Sequence, residues 1–150
     1  RAGNCAYEEL TLAMKTMYDV DMGLKTEKMV EVSRLVTGLA DVAVPPNRCI
    51  VGEKLYDIES GIIVSWLKNA GVDFPTELVP YRAGLVGQTE PKPVIGKGSG
   101  IDSIVWFLEE LGITATQEEM MALLMDVKEK AFEVNRLLTM EEFKELAGAE

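Results

Sequence analysis

Residues 99–146 read SGIDSIVWFLEELGITATQEEMMALLMDVKEKAFEVNRLLTMEEFKEL, and they set the fold class. Three Ser/Thr-x-x-acid patterns each precede a run of apolar residues at helical spacing: Ser99-x-x-Asp102, Thr116-x-x-Glu119 and Thr139-x-x-Glu142. In such a capping box, the hydroxyl accepts from the N–H three residues on, and the acid accepts from the first residue's N–H. The stretch therefore predicts three amphipathic helices, the first of them ending at Gly112.

Upstream, apolar residues also recur at helical spacing. A helix over 5–18 is predicted to begin at an Asn4 N-cap and to bury one apolar face, formed by Leu10, Ala13, Met14 and Met17. A second, over 27–39, is predicted to begin at a Thr26 cap and to carry Met29, Val32, Val36 and Leu39 on one side. The proline pair at 45–46 follows it, and Ser60 is predicted to open a third helix that ends at 69–71.

Between these helices the chain has no clear period. Residues 47–61 and 72–98 favour loop, with a short strand at 93–96 and a weak joint near 71–92. Strands do not alternate repeatedly with helices, so a complete α/β barrel is excluded. The sequence predicts a mainly α fold.

Composition excludes several classes of function. The net charge is −10, and residues 101–150 hold 4 basic against 12 acidic side chains, so we expect no nucleic-acid partner. The chain has no histidine, which removes the commonest general base and metal ligand. No apolar run is long enough for a membrane span, and no apolar leader pattern follows Arg1. We expect a cytoplasmic protein in which Cys5 and Cys49 are reduced thiols, although one bridge between them is possible.

Three stretches contain glycine and polar residues that a simple helical bundle would not need at those positions. Residues 1–4 lead through glycine into a helix, either as a site for an anion or as a simple cap. The second stretch covers residues 45–53 and 59–61, in which Glu59 is either a base or only the start of a helix. Residues 96–100, Gly-Lys-Gly-Ser-Gly, lack the spacing of a nucleotide phosphate loop, but backbone N–H groups and Lys97 could hold a carboxylate or phosphate.

Together these stretches resemble one family, the isopropylmalate, homocitrate and citramalate synthases, in the superfamily of hydroxymethylglutaryl-CoA lyase. Residues 1–9 resemble the RAGN…EE segment that follows the last barrel strand. Residues 44–69 (VPPNRCIVGEKLYDIESGIIVSWLKN) resemble the segment PPNKPIVGxNxFxHESGIHxDGxLKN, and 94–100 resemble the GKHSG turn. The resemblance covers the chain from residue 1 to about 111.

The resemblance implies the last helix of a TIM barrel, a linker and small helical subdomains. We expect 1–43 to end the catalytic barrel, 44–98 to form an irregular linker and first subdomain, and 99–150 to form an acidic helical second subdomain. In the family, the barrel binds a divalent metal (Zn, Mg or Mn) that chelates a 2-oxo acid, whose carbonyl an acyl-CoA enolate attacks. The metal's barrel aspartate and HxH pair are absent here. A homodimer is implied, with no membrane partner.

The resemblance also assigns site residues. Asn4 matches a metal-ligating asparagine, while Ser60, Gly61 and Lys97 fall in the substrate-binding segments. Glu59 and Tyr81 are candidate catalytic residues. The chain departs from the family where it has histidines: those positions are Ile58, Ile63 and Gly98. Isoleucine cannot transfer a proton, so base chemistry at position 63 is lost.

Three functions remain open. The first is the C-terminal part of an acyl-CoA-dependent 2-oxo acid acyltransferase, inactive without its barrel. The second keeps the superfamily but changes the reaction to lyase or aldolase cleavage or to carboxyl transfer, which the missing histidines favour. The third is a non-catalytic helical assembly module that uses its apolar faces.

Overall fold

The helices account for most of the secondary structure in this computed structural model, which describes residues 3–70 and 75–149. The mainly α prediction is confirmed, and the described residues form no closed barrel. The helices are α1 (Tyr7–Met17), α2 (Met29–Ala40), α3 (Gly61–Ala70), α4 (Pro75–Leu78), α5 (Ile101–Glu110), α6 (Gln117–Val134) and α7 (Met140–Leu146). Two short strands, β1 (Asp57–Ile58) and β2 (Lys92–Pro93), pair in parallel.

The described chain divides into two compact units. Unit 1 comprises residues 3–56 and 75–91, and unit 2 comprises residues 57–70 and 92–149. The expected division at 43 and 98 stays a prediction. None of the helices in the described ranges is long and apolar enough to cross a membrane.

Unit 1 has a small core where α1, α2 and two loops meet. Its buried side chains are Leu12, Met29, Ile50 and Val86. The turn at Ala83–Leu85 is a 3-10 helix, and Gly87 follows it with φ +79°. A Cβ on Gly87 would lie 2.2 Å from the carbonyl oxygen of Glu27, so only glycine allows this turn to approach the start of α2.

The predicted caps of α1 and α2 are wrong. α1 begins at Tyr7 after Ala6, whose carbonyl accepts from the Leu10 N–H, so Asn4 lies too early in the chain to cap it. Thr26 instead begins a 3-10 turn, and its hydroxyl accepts from Lys15 Nζ at 3.2 Å. This contact with α1 takes the place of the local cap, and α2 begins at Met29.

The predicted buried faces of α1 and α2 are wrong for most of their large residues. In α1, Thr11 and Leu12 are buried, whereas Leu10 and Met17 are exposed. In α2, burial is confined to Met29 and Val30. Three apolar residues of the predicted α2 face are exposed: Val32, Val36 and Leu39. Periodicity gave these residues a shared face, but no element among the described residues covers it.

Unit 2 starts with the strand pair, in which Asp57 lies opposite Lys92 and Ile58 opposite Pro93. The strand predicted at 93–96 lies instead at Lys92–Pro93. Its position is set by pairing with residues 35 positions earlier, which no local sequence pattern shows. The third helix begins at Gly61, directly after Ser60, as expected. Its predicted end at 69–71 includes Gly71, which lies outside the described residues, as do residues 71–74 of the predicted joint.

The helices of the acidic tail form the core of unit 2. Thr116 and Thr139 both make complete capping boxes, with Glu119 and Glu142 respectively, so these two predictions are confirmed. α5 ends at Glu110, and Gly112 follows with φ +70°, as predicted for the stop. The rings of Phe107 and Phe143 pack at 5.5 Å between centroids, with Phe143 fully buried.

The remaining predicted capping box, Ser99-x-x-Asp102, is wrong. Gly100 is the N-cap of α5 and makes no side-chain cap bond. The Ser99 hydroxyl is buried and accepts from the Gly96 N–H at 2.9 Å, which closes the glycine turn before the helix. A bond within this turn therefore replaces the expected bond to the helix start.

Candidate functional site

The strand pair of unit 2 brings two predicted site segments together. Glu59 directly follows β1, and residues 96–100, which we call the glycine loop, follow β2 closely. The Val94 N–H donates to the Ile58 carbonyl at 2.9 Å, which continues the pairing beyond the strands. Because parallel strands end at the same edge, residues 59–61 lie against the glycine loop.

Glu59 contacts the glycine loop directly. Its Oε1 accepts from the Gly98 N–H at 2.7 Å. Its carbonyl accepts from the buried Ser103 hydroxyl at 3.4 Å, a long bond to the first turn of α5. One N–H of the predicted nest, that of Gly98, thus donates to a carboxylate of the chain itself, whereas the Gly96 and Ser99 N–H groups bond within the loop.

Gly61 and Gly100 bring the starts of α3 and α5 into contact. A Cβ on Gly61 would lie 2.8 Å from the Gly100 Cα. Each helix N-terminus carries partial positive charge, so this corner of unit 2 favours negative groups. Gly61 therefore has a packing role, in addition to the substrate contact expected for it.

Ser60 and Lys97 are both exposed in this same corner. Lys97 Nζ lies 5.9 Å from the centroid of the Phe132 ring, a cation–π contact with α6. The Lys97 carbonyl accepts from Lys128 Nζ at 3.1 Å. Glu59, Ser60, Gly61 and Lys97 are therefore neighbours in unit 2.

Asn4 and Tyr81, the other two predicted site residues, belong to unit 1. Asn4 is exposed and precedes α1. The described residues contain no group of three or more Cys, Asp or Glu side chains that could hold a metal. One amide oxygen is a poor site for a divalent ion, so the described residues alone do not fit a metal.

Tyr81 packs on the unit 1 core beside Tyr56, a residue that sequence reasoning missed. Burial of the phenol raises the pKa of Tyr81, and the nearby Tyr56 hydroxyl only partly offsets this. Burial also raises the pKa of Tyr56, and its interaction with Tyr81 adds to the rise. Both phenols are therefore protonated at neutral pH, so Tyr81 can donate a proton or hydrogen bond but is not a base. Tyr56 stands at the phenylalanine of the family segment, which was the available signal.

Sequence reasoning also missed two residues that hold the loop at 45–52. Gln88 Nε2 donates to the carbonyls of Ile50 and Gly52, at 3.0 and 2.8 Å. Ile50 has φ +68°, a strained conformation for a β-branched residue. Arg48 Nη2 lies 2.8 Å from Glu9 Oε1 and 3.5 Å from Glu8 Oε1, which ties the loop to α1. No local pattern predicts these contacts, since each joins residues about 40 apart.

An apolar groove of about 500 Å³ opens beside α2 in unit 1. Its lining combines residues of α2 with apolar residues from flanking segments, among them Leu24, Met29, Val32, Val36, Val42 and Val44. The groove therefore adjoins the exposed apolar face of α2.

No protein-family model matches the chain. Homocitrate synthase 1 of Nostoc is 38% identical over 97% of the chain, and a probable 2-isopropylmalate synthase of Methanopyrus kandleri is 41% identical over 86%. The (R)-citramalate synthase of Methanocaldococcus jannaschii is 37% identical over 86%. The chain spans 37%, 25% and 25% of these three relatives. The resemblance found in the sequence is confirmed, and the partial coverage is consistent with a C-terminal portion of that family.

Proposed function

We propose that this chain, homologous over most of its length to homocitrate, isopropylmalate and citramalate synthases, is the C-terminal part of a 2-oxo acid acyltransferase. In the complete protein, an acyl-CoA enolate adds to the carbonyl of a 2-oxo acid, and water then cleaves the thioester and frees CoA. This reaction takes place at a barrel of which these residues supply only the last helices. One structural observation carries the proposal: α1 and α2 leave their apolar faces uncovered by the described residues.

The uncovered face of α2 supports the rest of the barrel as its partner. Leu39 is 80% exposed, and Val32 and Val36 are about half exposed. Residues this apolar at helical spacing stabilise a fold only when they are buried, at about 25 cal/mol per Å² removed from water. A large apolar partner within the same protein would supply that burial, and the relatives are long enough to contain one.

The face of α1 agrees with this assignment. Leu10 is half exposed and Met17 is 75% exposed, while Leu12 on the other side enters the core of unit 1. A helix with apolar residues on two sides is typical of one packed between two layers. We therefore assign α1 as the last barrel helix, with residues 1–43 completing the barrel.

Substrate binding in this proposal falls to the corner of unit 2. Lys97 supplies a positive charge and Ser60 an exposed hydroxyl, near the starts of α3 and α5. These groups suit the carboxylate of a 2-oxo acid or the phosphates of CoA. Tyr81, a neutral phenol of unit 1, is assigned as a proton or hydrogen-bond donor in the reaction.

In the complete enzyme, a divalent metal (Zn, Mg or Mn) would polarise the 2-oxo acid carbonyl. Asn4 would contribute one amide oxygen, with the remaining ligands outside this chain. Ile58 and Ile63 cannot replace histidines as bases, so the proton taken from the acyl-CoA must be accepted by another group. We also assign the protein to the cytoplasm as a homodimer.

The test is a thiol-release assay on the full-length protein with acetyl-CoA and a panel of 2-oxo acids. We expect CoA thiol release that requires both substrates and a divalent metal, and a product that gains one acetyl unit. Assays without the 2-oxo acid correct for signal from Cys5 and Cys49. Folded protein that releases no thiol with any acid would contradict the proposal.

The absence of the three family histidines also favours a second candidate, cleavage of the carbon–carbon bond by a superfamily lyase. The same protein incubated with 2-hydroxy acid products would then yield 2-oxo acid faster than the condensation runs. Inactivity in both directions would instead favour an assembly module that uses the apolar groove.

A further inference from the structure

Glu59 is held at both its side chain and its main chain. Its Oε1 accepts from the Gly98 N–H at 2.7 Å, and its carbonyl accepts from the Ser103 hydroxyl. The preceding carbonyl, of Ile58, accepts from the Val94 N–H. The carboxylate is thus fixed between the end of β1 and the glycine loop.

Two glycines leave the space that this carboxylate occupies. A Cβ on Gly96 would lie 2.6 Å from Glu59 Oε1, and a Cβ on Gly98 would lie 3.0 Å from Glu59 Cδ. A side chain at either position would therefore meet the Glu59 carboxylate.

The glycine loop is closed on its other side by Ser99. The Ser99 hydroxyl accepts from the Gly96 N–H, and the next residue, Gly100, contacts Gly61. The bond from Gly98 to Glu59 therefore joins the loop to the segment that carries Ser60. Lys97, between the two contacted glycines, has its main chain fixed by the same contacts.

We infer that Glu59 is a positioning residue, which holds the glycine loop so that Lys97 and Ser60 face one substrate together. The inference rests on the proposed function for the identity of that substrate. It assigns Glu59 a role other than the general base considered from the sequence. A positioning role requires only an acceptor oxygen at Oε1, whereas a base must also take up a proton.

The experiment compares Glu59→Gln with Glu59→Ala in the full-length protein, with Glu110→Ala, an exposed position at the end of α5, as the control. Glutamine keeps an acceptor oxygen but cannot act as a base. We expect E59Q to keep kcat within about 3-fold of wild type with an unchanged pH profile, because no proton transfer is lost. We expect E59A to raise KM about 10-fold or more with a smaller change in kcat, a loss of binding geometry.

Hydrogen exchange at the Gly98 amide tests the loop contact without any substrate. We expect slow exchange in wild type, E59Q and E110A, and exchange about 10-fold faster in E59A, since the acceptor is then absent. Unchanged Gly98 exchange in E59A would overturn the inference. So would an E59Q enzyme that loses about 100-fold or more in kcat together with one limb of its pH profile, the mark of a base. If wild type releases no thiol, the proposed function fails, and Gly98 exchange still decides whether Glu59 holds the loop.

Discussion

Gly61 and Gly100 lie so close that a methyl group on Gly61 would come within 2.8 Å of the Gly100 Cα. This contact joins the first residue of α3 to the N-cap of α5. Main chain meets main chain here, so no side-chain rotation can relieve a collision. The same corner of unit 2 contains Glu59 and the glycine loop.

The first prediction concerns this contact. Gly61→Ala should lower the free energy of unfolding by about 1–3 kcal/mol, the usual cost of overpacking. Gly38→Ala is the matched control, because Gly38 is exposed within α2 and a Cβ there would meet nothing within 4 Å. It should stabilise the protein by about 0.4–1 kcal/mol. Urea denaturation measures the free energy of unfolding of both variants. An equal effect of the two substitutions would contradict the close packing of Gly61 against Gly100.

The second prediction concerns the core of unit 2. Phe143 is fully buried against Phe107, so Phe143→Ala should cost about 3–5 kcal/mol. Phe132→Ala, on the outer face of α6 where the ring is 67% exposed, should cost less than about 1 kcal/mol. Thermal unfolding monitored by circular dichroism measures both. A small loss in F143A would show that the ring pair is not a core contact.

The third prediction concerns Gln88, which bridges two carbonyls of the strained loop at 45–52. Gln88→Ala leaves both carbonyls without this donor and should cost about 1–3 kcal/mol. Gln117→Ala, an exposed glutamine at the start of α6, is the control and should change stability by less than about 0.5 kcal/mol. If Q88A and Q117A unfold at the same urea concentration, the two Gln88 hydrogen bonds contribute nothing to the free energy of unfolding.

The fourth prediction concerns acid stability. The Arg136 guanidinium and the Thr139 N–H lower the pKa of Glu142 from 4.5 to about 2. A carboxyl whose pKa is lower in the folded state stabilises the protein above about pH 4.5, and this contribution disappears as the pH falls toward 2. Between pH 5 and 2, Glu142→Gln should therefore lose less stability than wild type does.

Glu129→Gln, which changes the same charge on the exposed face of α6, is the control for the acid titration. Its urea midpoint should follow the wild-type pH dependence between pH 5 and 2. A wild-type curve parallel to that of E142Q would contradict the assignment of this pKa.

Local patterns predicted the parts of the fold that local bonds determine. Thr116 and Thr139 cap their helices as expected because each bond joins residues three apart. Ser99 has the same pattern, but its hydroxyl bonds within the glycine loop. The sequence alone does not show whether such a hydroxyl bonds to the helix start or to the preceding loop. β1 was not predicted, and β2 was predicted with displaced bounds, because two-residue strands are too short to show a period.

The candidate site was predictable only where the family segments matched. Those segments indicated Glu59, Ser60, Gly61 and Lys97, which the structure places together in unit 2. The contact that orients Glu59 was not predictable, since it depends on a bond to a residue 39 positions away. Leu39 shows the converse limit: its apolar character predicted burial, but the described residues provide no element that covers it.

The most direct test of the central claim is the accessibility of Leu39 in the full-length protein. We would introduce Leu39→Cys, with Cys5 and Cys49 replaced by serine, and measure its rate of thiol alkylation against Glu110→Cys in the same background. If a barrel covers α2, L39C should react at least about 10-fold more slowly than E110C, since alkylation of a buried thiol requires local opening. Equal rates would show that this face stays open to solvent, as it is in the chain described, and would contradict the claim.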